Sequence, residues 1–424
     1  MARKNTAEAV VSSSQSTQAS AALARVAFLD NLRYLMVVLV VLYHAVAAYA
    51  IVAPHWAVHD TTLFSADIIR EFFDVFMMPV LFFAAGYFAL PSLVKNGTGK
   101  FLMDKVRRLL VPWALAVFII IPLALYDQPV KPVRPFWRYW LNYLGSFAIR
   151  LRFSQTPVGV TTQAVYWFIS LLFAFFLVFA LFYLLALRLR GGAAPSIERR
   201  MDPRRSVISG LALFGLLSFA TYFLLLLWIP DSSWFTLSAF LEFQVTRLVP
   251  FAGCFALGVY AQSQAWFSDG KPLGSPALWG AAGAVLAIAY LVFGQPMFAD
   301  TAGTAHFTAG YLLVFAFLRS ALLLSLLAAC IALAMRYWNS ARSFDRGFSA
   351  ASYNIYLVHF WIVVVLQTAL LQWTSGPVLL KIAVVFLSAL SISYAFSRWV
   401  LARHARAFTI VVLALFVFCL VVRP

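Results

Sequence analysis

Apolar residues run in blocks of about twenty along nearly the whole chain, from residue 32 to the end, broken by short polar turns. Apolar windows of that length mark about eleven spans. They lie at roughly 32–54, 72–94, 109–126, 162–187, 206–229, 247–264, 277–294, 307–335, 348–371, 377–397 and 407–422. The runs are continuous rather than alternating, which excludes a β-barrel. The pattern predicts an all-α, polytopic integral membrane protein with about 10–11 transmembrane helices. The last run is short and also fits a helix lying in the interface. No internal repeat stands out, so an inverted-repeat transporter gains no support.

Composition strengthens this picture. Of the 424 residues, 63% are hydrophobic and 11% charged, and the mean hydropathy is +0.88. A soluble domain is nearer half apolar and a quarter charged. The three cysteines, Cys254, Cys330 and Cys419, each sit in an apolar run without metal or disulfide spacing. They read as small core hydrophobes. Residues 1–24, rich in Ser, Ala and Gln, read as a disordered cytoplasmic tail.

The net charge of +17 would suggest nucleic acid in a soluble protein. Here the basic residues flank spans, with no basic stripe on a polar domain, so no nucleic-acid partner is expected. With the N-terminus in the cytoplasm, 21 of the 32 Lys and Arg fall in inside segments and nine outside or at the outer rim. The remaining two, Arg33 and Arg319, lie within spans. That bias supports a cytoplasmic N-terminus and accounts for much of the charge.

A few polar residues interrupt the apolar runs. In DNLRYLMVVLVVLYHA, residues 30–45, Arg33 and His44 are eleven positions apart, about 20° past three full turns and roughly 16 Å along the axis. Asp30 shares their face. An interfacial ion pair with a snorkelling arginine accounts for Asp30 and Arg33, and a structural hydrogen bond accounts for His44. A functional stripe accounts for all three. Asp67, Glu71 and Asp74 share one face of the second span, where Asp74 approaches the depth of His44 and is placed to orient its ring. An outer-rim acidic face paired with Arg70 is the alternative. In KFLMDKVRRLLVPW, Lys105 and Arg108 share a face at the cytoplasmic boundary, suited to phosphate or to ordinary anchoring. In SASYNIYLVHFWIVV, Ser352, Tyr356, His359 and Val363 mark one face, with His359 at a depth like that of His44. Arg319 is expected to face a polar cavity or pair with a carboxylate. His55, His59 and Asp60 crowd one loop without the spacing of a zinc site, so no metal is expected.

Together FLDNLR, the Arg33–His44 pair, FMMPVLFFAAGYF, KVRRLLVPW and SYNIYLVH resemble the membrane-bound acyltransferase family 3, in the family's order, over about residues 25–398. They look closest to the branch that includes glucan biosynthesis protein C. The resemblance implies a ten-span acyltransferase domain over 25–398, with 399–424 a basic linker and an extra apolar helix. It implies a multi-pass enzyme of the bacterial inner membrane that moves acetyl or succinyl from a cytoplasmic acyl-CoA to hydroxyls of a periplasmic or envelope glycan. Acyl-CoA is then a substrate, no cofactor stays bound, lipid surrounds the protein, and a homodimer is compatible. The family's arginine–histidine pair carries over to Arg33 and His44, and its paired basic motif to Lys105 and Arg108. Lysine stands where arginine is common, which gives phosphate a point charge without a bidentate fork.

On that reading Arg33, Lys105 and Arg108 bind the donor phosphates, and the pantetheine arm rises along the polar stripe. His44 acts as general base or as an acyl-carrying nucleophile. Asp74 orients it, and His359 or a tyrosine polarises the carbonyl. Arg319 is the spare cation for an acyl carboxylate. The buried ionisable groups are expected to converge in one wet chamber opening toward the cytosol. A transporter or flippase of a lipid-linked or acyl intermediate would use the same stripe as a pathway. A membrane scaffold or sensor would use the histidines only structurally.

Overall fold

A computed structural model describes residues 26–53, 56–126, 135–145, 151–154, 163–191, 202–237, 240–268, 270, 273–300, 303–340 and 342–422. The tail at 1–24, His55, and several of the flanking Lys and Arg, among them Lys131 and Arg150, lie outside the described residues. The long helices are α1 (Ala27–Ala45), α2 (Phe64–Asn96) and α3 (Thr98–Leu123). A shorter α4 (Phe136–Gly145) precedes α5 (Trp167–Leu189) and α6 (Pro203–Leu226). Then come α7 (Leu248–Ser263), α8 (Pro276–Phe293), α9 (Ala309–Tyr337), α10 (Ser343–Leu370), α11 (Val378–Phe396) and α12 (Ala402–Val422). Among the described residues, nine helices are long and apolar enough to cross a membrane, one of them the merged Val378–Val421. Dividing that one at its kink and adding the shorter α7 gives the eleven passes the apolar runs predict. The protein is an all-α, multi-pass membrane protein.

Its outward side chains are what lipid requires: Phe182, Leu216, Val285, Ile288 and Leu387 are exposed. One end of the bundle carries the first turns of α3 and the connection at 338–346, with Lys100, Lys105, Arg107, Arg108, Arg342 and Arg346. It is the basic end. The opposite end carries the connections at 46–63, 227–247 and 294–308. It also holds a small sheet that the apolar pattern gave no sign of. Strand β1 (Leu151–Ser154) pairs antiparallel with β2 (Trp234–Leu237), Leu151 opposite Leu237. β2 pairs antiparallel with β3 (Leu241–Gln244), Trp234 opposite Gln244.

α3 alternates α and π turns around Pro112 and Pro122. Proline has no N–H, so the carbonyl four residues earlier loses its helical donor. For Pro122 that carbonyl is Phe118, and Trp140 of α4 donates to it at 3.1 Å. Tyr143 donates to the adjacent Val117 carbonyl at 2.7 Å. α4 thereby seals a proline-made gap, and Phe416 of α12 packs on Phe136 and Trp140 from outside. α12 therefore crosses back from the basic end instead of lying along it.

α2 and α7 cross closely at two glycines. A Cβ on Gly86 would lie 2.0 Å from the Phe255 carbonyl oxygen, and one on Gly258 would lie 2.1 Å from that of Phe83. Both obstacles are backbone and cannot rotate away. Replacing Gly258 by alanine is therefore expected to force these helices apart. A lowered thermal midpoint in detergent, with loss of monodisperse protein, is the expected reading; an unchanged midpoint would mean that the helices can separate at no cost.

Candidate active site

α1 and α10 run side by side from the basic end, and their polar faces meet. At the basic end Arg33 hydrogen-bonds Ser349 of α10, with Nη2 to Oγ at 3.4 Å, and pairs with Asp30 at 3.4 Å; its side chain is 43% exposed. Asn31 donates to the carbonyls of Trp338 and Ser340, and Tyr34 donates to Asp345, which pins the start of α1. Three turns on, His44 Nδ1 lies 3.1 Å from His359 Nε2. The shared face read from the eleven-residue spacing thus points both Arg33 and His44 at α10.

The histidine pair has a defined proton arrangement. His359 Nδ1 lies 2.7 Å from the Tyr356 carbonyl oxygen and 3.2 Å from that of Ile355. Carbonyls only accept, so His359 Nδ1 carries its proton and donates. In the neutral pair His359 Nε2 is then an acceptor, which makes His44 the donor through Nδ1–H. The lone pair of His44 is left on Nε2. Trp56 stacks on the His44 ring at 5.1 Å and 15°. Gln367 joins these parts. Its Oε1 accepts from Trp56 Nε1 at 2.8 Å, and its Nε2 donates to the carbonyls of His44 and Ala45 at 3.0 Å each. Those carbonyls lie in the last turn of α1, where the helix runs out of its own donors.

His44 lines a cavity of about 850 Å³. Its walls combine Trp56, Trp167, Trp228 and Trp234 with Arg70, Glu71, Asp74, Asp231, Arg247 and His306. Most of these come from the loops of the end opposite the basic cluster, so the cavity opens there. The expectation of one chamber opening toward the basic end is overturned: Arg33, Lys105 and Arg108 do not line this cavity. A file of aromatic rings fills the space between. Trp167 on the cavity wall stacks on Phe251, and Phe251 meets Phe82 at 5.3 Å. Phe82 meets Phe175, Phe175 meets Phe255, and Phe255 meets Phe176. Lys105 Nζ sits 4.1 Å above the Phe176 ring, while Arg108 is exposed at the basic end.

Two further site residues stand elsewhere than expected. His359 is 0% exposed with both ring nitrogens engaged, so it positions His44 and does not polarise a carbonyl in the cavity. Asp74 accepts from Arg247 and from Arg319, at 3.0 Å for the latter, and the ring it was expected to orient is held by His359 instead. Arg319 also donates to Tyr290 Oη at 2.6 Å and does not line the main cavity. It is a buried partner of Asp74, not a spare cation.

Arg247 and Asp231 escaped the sequence reading. Arg247 looked like a rim charge, yet it joins Asp74 to Asp231, with Nη2 3.1 Å from the Asp231 carboxylate. Burial works against ionising Asp231, but Arg247 and Arg319 overcome it and hold its carboxyl at about 2. In the loop before α2, Asp60 accepts from Lys381 Nζ at 2.7 Å. Burial opposes ionisation of Asp60 too, and the Lys381 hydrogen bond outweighs it, so its acidity is increased. Lys381 is 1% exposed, so this pair ties the loop carrying Trp56 to α11.

A lipid-facing helical bundle that encloses a hydrogen-bonded imidazole pair beside a polar cavity defines a multi-pass membrane protein with a candidate proton-transfer centre. The family model described as acyltransferase domain, that of acyltransferase family 3, matches residues 26–422, and the chain belongs to this family. The match takes in α12. No curated protein and no solved structure matches the chain.

Proposed function

We propose that the protein is an O-acyltransferase that moves acetyl or succinyl from a cytoplasmic acyl-CoA to a hydroxyl of a periplasmic or envelope glycan. The supporting observation is the tautomer of the histidine pair, which leaves His44 with a lone pair in the wall of a cavity wide enough for sugar rings. Tryptophan faces with carboxylates between them suit a polyol that has both apolar C–H faces and hydroxyl donors. In this reading the basic end faces the cytoplasm of a bacterial inner membrane, and the cavity receives the acceptor from outside. Arg33, Lys105 and Arg108 then meet the CoA phosphates on the opposite side. The thioester reaches His44 from that side, and the ring file between Lys105 and Trp167 has to part for it. The branch of glucan biosynthesis protein C, with succinyl as the group moved, is the specific assignment we favour.

The reaction conserves atoms and charge simply. The acceptor hydroxyl gives its proton to His44 Nε2 as its oxygen attacks the thioester carbonyl. A C–O bond forms, the C–S bond breaks, and the thiolate leaving group takes the proton back from His44. His359 holds Nδ1–H and favours the charge that develops on the His44 ring.

Mass analysis of envelope glycans tests this. Cells lacking the gene are expected to lose one acyl mass increment, and cells with the gene restored are expected to regain it. Glycans identical in the two strains would overturn the assignment.

A further inference from the structure

Among the described residues two arginines line the cavity, and they differ in one respect. Arg247 is committed to Asp74 and Asp231. Arg70 has no carboxylate within ion-pair distance among the described residues. Its Nη2 donates to Tyr43 Oη at 3.0 Å and its Nη1 makes a long contact of 3.4 Å with the Tyr43 carbonyl. Its Nε is buried and has no hydrogen-bond partner. The guanidinium carbon sits over the Tyr43 ring, 4.1 Å from the centroid. Arg70 stands in the second turn of α2, at the rim opposite the basic end, and a buried donor left without a partner there is costly unless an anion answers it. Nearby Asp74 already serves two arginines, and Glu71 makes no ion pair with Arg70.

The place of this cation relative to the base matters. Tyr43 and His44 are consecutive, and their rings stand edge to face at 5.3 Å. Arg70 is therefore one ring away from the histidine proposed to do the chemistry, on the same cavity wall. A carboxylate arriving from the cavity would meet a planar set of donors in place of the Tyr43 contacts, the forked recognition that arginine supports and lysine does not. Whatever carries it would have its other end at His44.

We propose that Arg70, seated over Tyr43, is a carboxylate-binding subsite of the acyl-transfer centre, selecting a reactant with a negative charge a few bonds from the reacting carbon. It rests on the acyltransferase reading given above. The carboxylate belongs either to a short dicarboxylic acyl group or to an acidic sugar of the acceptor. The same fork would hold both.

The test uses the full chain in lipid nanodiscs and compares wild type with Arg70→Met and Arg70→Lys. In the donor arm, succinyl-CoA and acetyl-CoA are offered with a neutral oligosaccharide. In the acceptor arm, acetyl-CoA is offered with a neutral and a uronate-bearing oligosaccharide. The expected result is a preference for the charged reactant in one arm. In that arm the ratio of kcat/KM values, charged over neutral, is expected to fall by about 30-fold or more in Arg70→Met. The lysine variant should retain part of it, since it keeps charge without the fork. The arm that responds identifies the source of the carboxylate. A binding readout stands apart from turnover: monomethyl succinate should shift the tryptophan fluorescence of wild type, dimethyl succinate should not, and Arg70→Met should abolish the difference. Charged and neutral reactants falling alike, or no charge-dependent binding in wild type, would overturn the subsite. No transfer from any donor by wild type would instead overturn the acyltransferase reading, and the binding readout would still decide the role of Arg70.

Discussion

Cells carrying His44→Ala are expected to make envelope glycan without the acyl ester while holding the protein at its normal level. Loss of a general base typically costs about 10²–10⁴ in rate. The carboxylates and the other imidazole of the cavity wall, among them Glu71, Asp74, Asp231 and His306, do not share its hydrogen bond to His359. His359 is the nearest imidazole, but its Nδ1 proton is committed to backbone carbonyls and it has no exposed surface. The fold should tolerate the change, because His44 is only half-buried and Gln367 binds its backbone, not its ring. His359→Ala is expected to fall less steeply. It removes the acceptor that fixes His44 Nδ1–H, leaving a base present but free to adopt the wrong tautomer. The measurement is ester content by mass spectrometry set against protein level by immunoblot. Normal acylation at normal level in the His44 variant would end the scheme.

The chain's own chemistry made much of this legible, and the limits have physical causes. Apolar run length is a one-dimensional property set by bilayer thickness, so the eleven spans could be read off, whereas α4, only ten residues long, lies between two of the runs and left no such mark. α7 is the informative case: its run at 247–264 marked a span, and the helix keeps 16 residues, with the turn at Val245–Arg247 taking Arg247 from the start of the run. The shared face of Arg33 and His44 is likewise a property of one helix. What that face meets is not, since it depends on which helix packs beside it. His359 was seen as a residue of similar depth, but its contact with His44 needed α1 and α10 to run in the same direction side by side. The side on which the cavity opens depended on where bulky rings fill the bundle, and phenylalanine is too common here for its pattern to mark a plug. Arg247 was missed for a related reason. At the boundary of an apolar run, a charge that anchors topology and a charge that turns inward look the same. A signal did exist: Asp231, Arg247 and Arg319 are all at or inside apolar runs, and Asp74 alone could not neutralise two cations.

That charge balance carries the second large effect. Asp74→Asn is expected to destabilise the protein by about 3–5 kcal/mol, because it leaves buried cations with too little negative charge. Among the described residues Arg319 pairs with one carboxylate, that of Asp74, beside the neutral phenol of Tyr290, so the variant strands it. Arg247 keeps Asp231 but loses the carboxylate on α2. The asparagine is nearly the same size, so the loss reports charge and not a cavity. Asp74 sits on α2, Arg319 on α9 and Arg247 just before α7, so one carboxylate ties three helices behind the cavity wall. Combining Asp74→Asn with Arg319→Met should recover part of the stability, since removing the stranded cation along with its partner relieves the imbalance. Thermal unfolding in a single detergent, with the double variant compared against both singles, measures this. A single variant as stable as wild type would mean that water or lipid headgroups reach these arginines, and that the cluster does not hold the helices together.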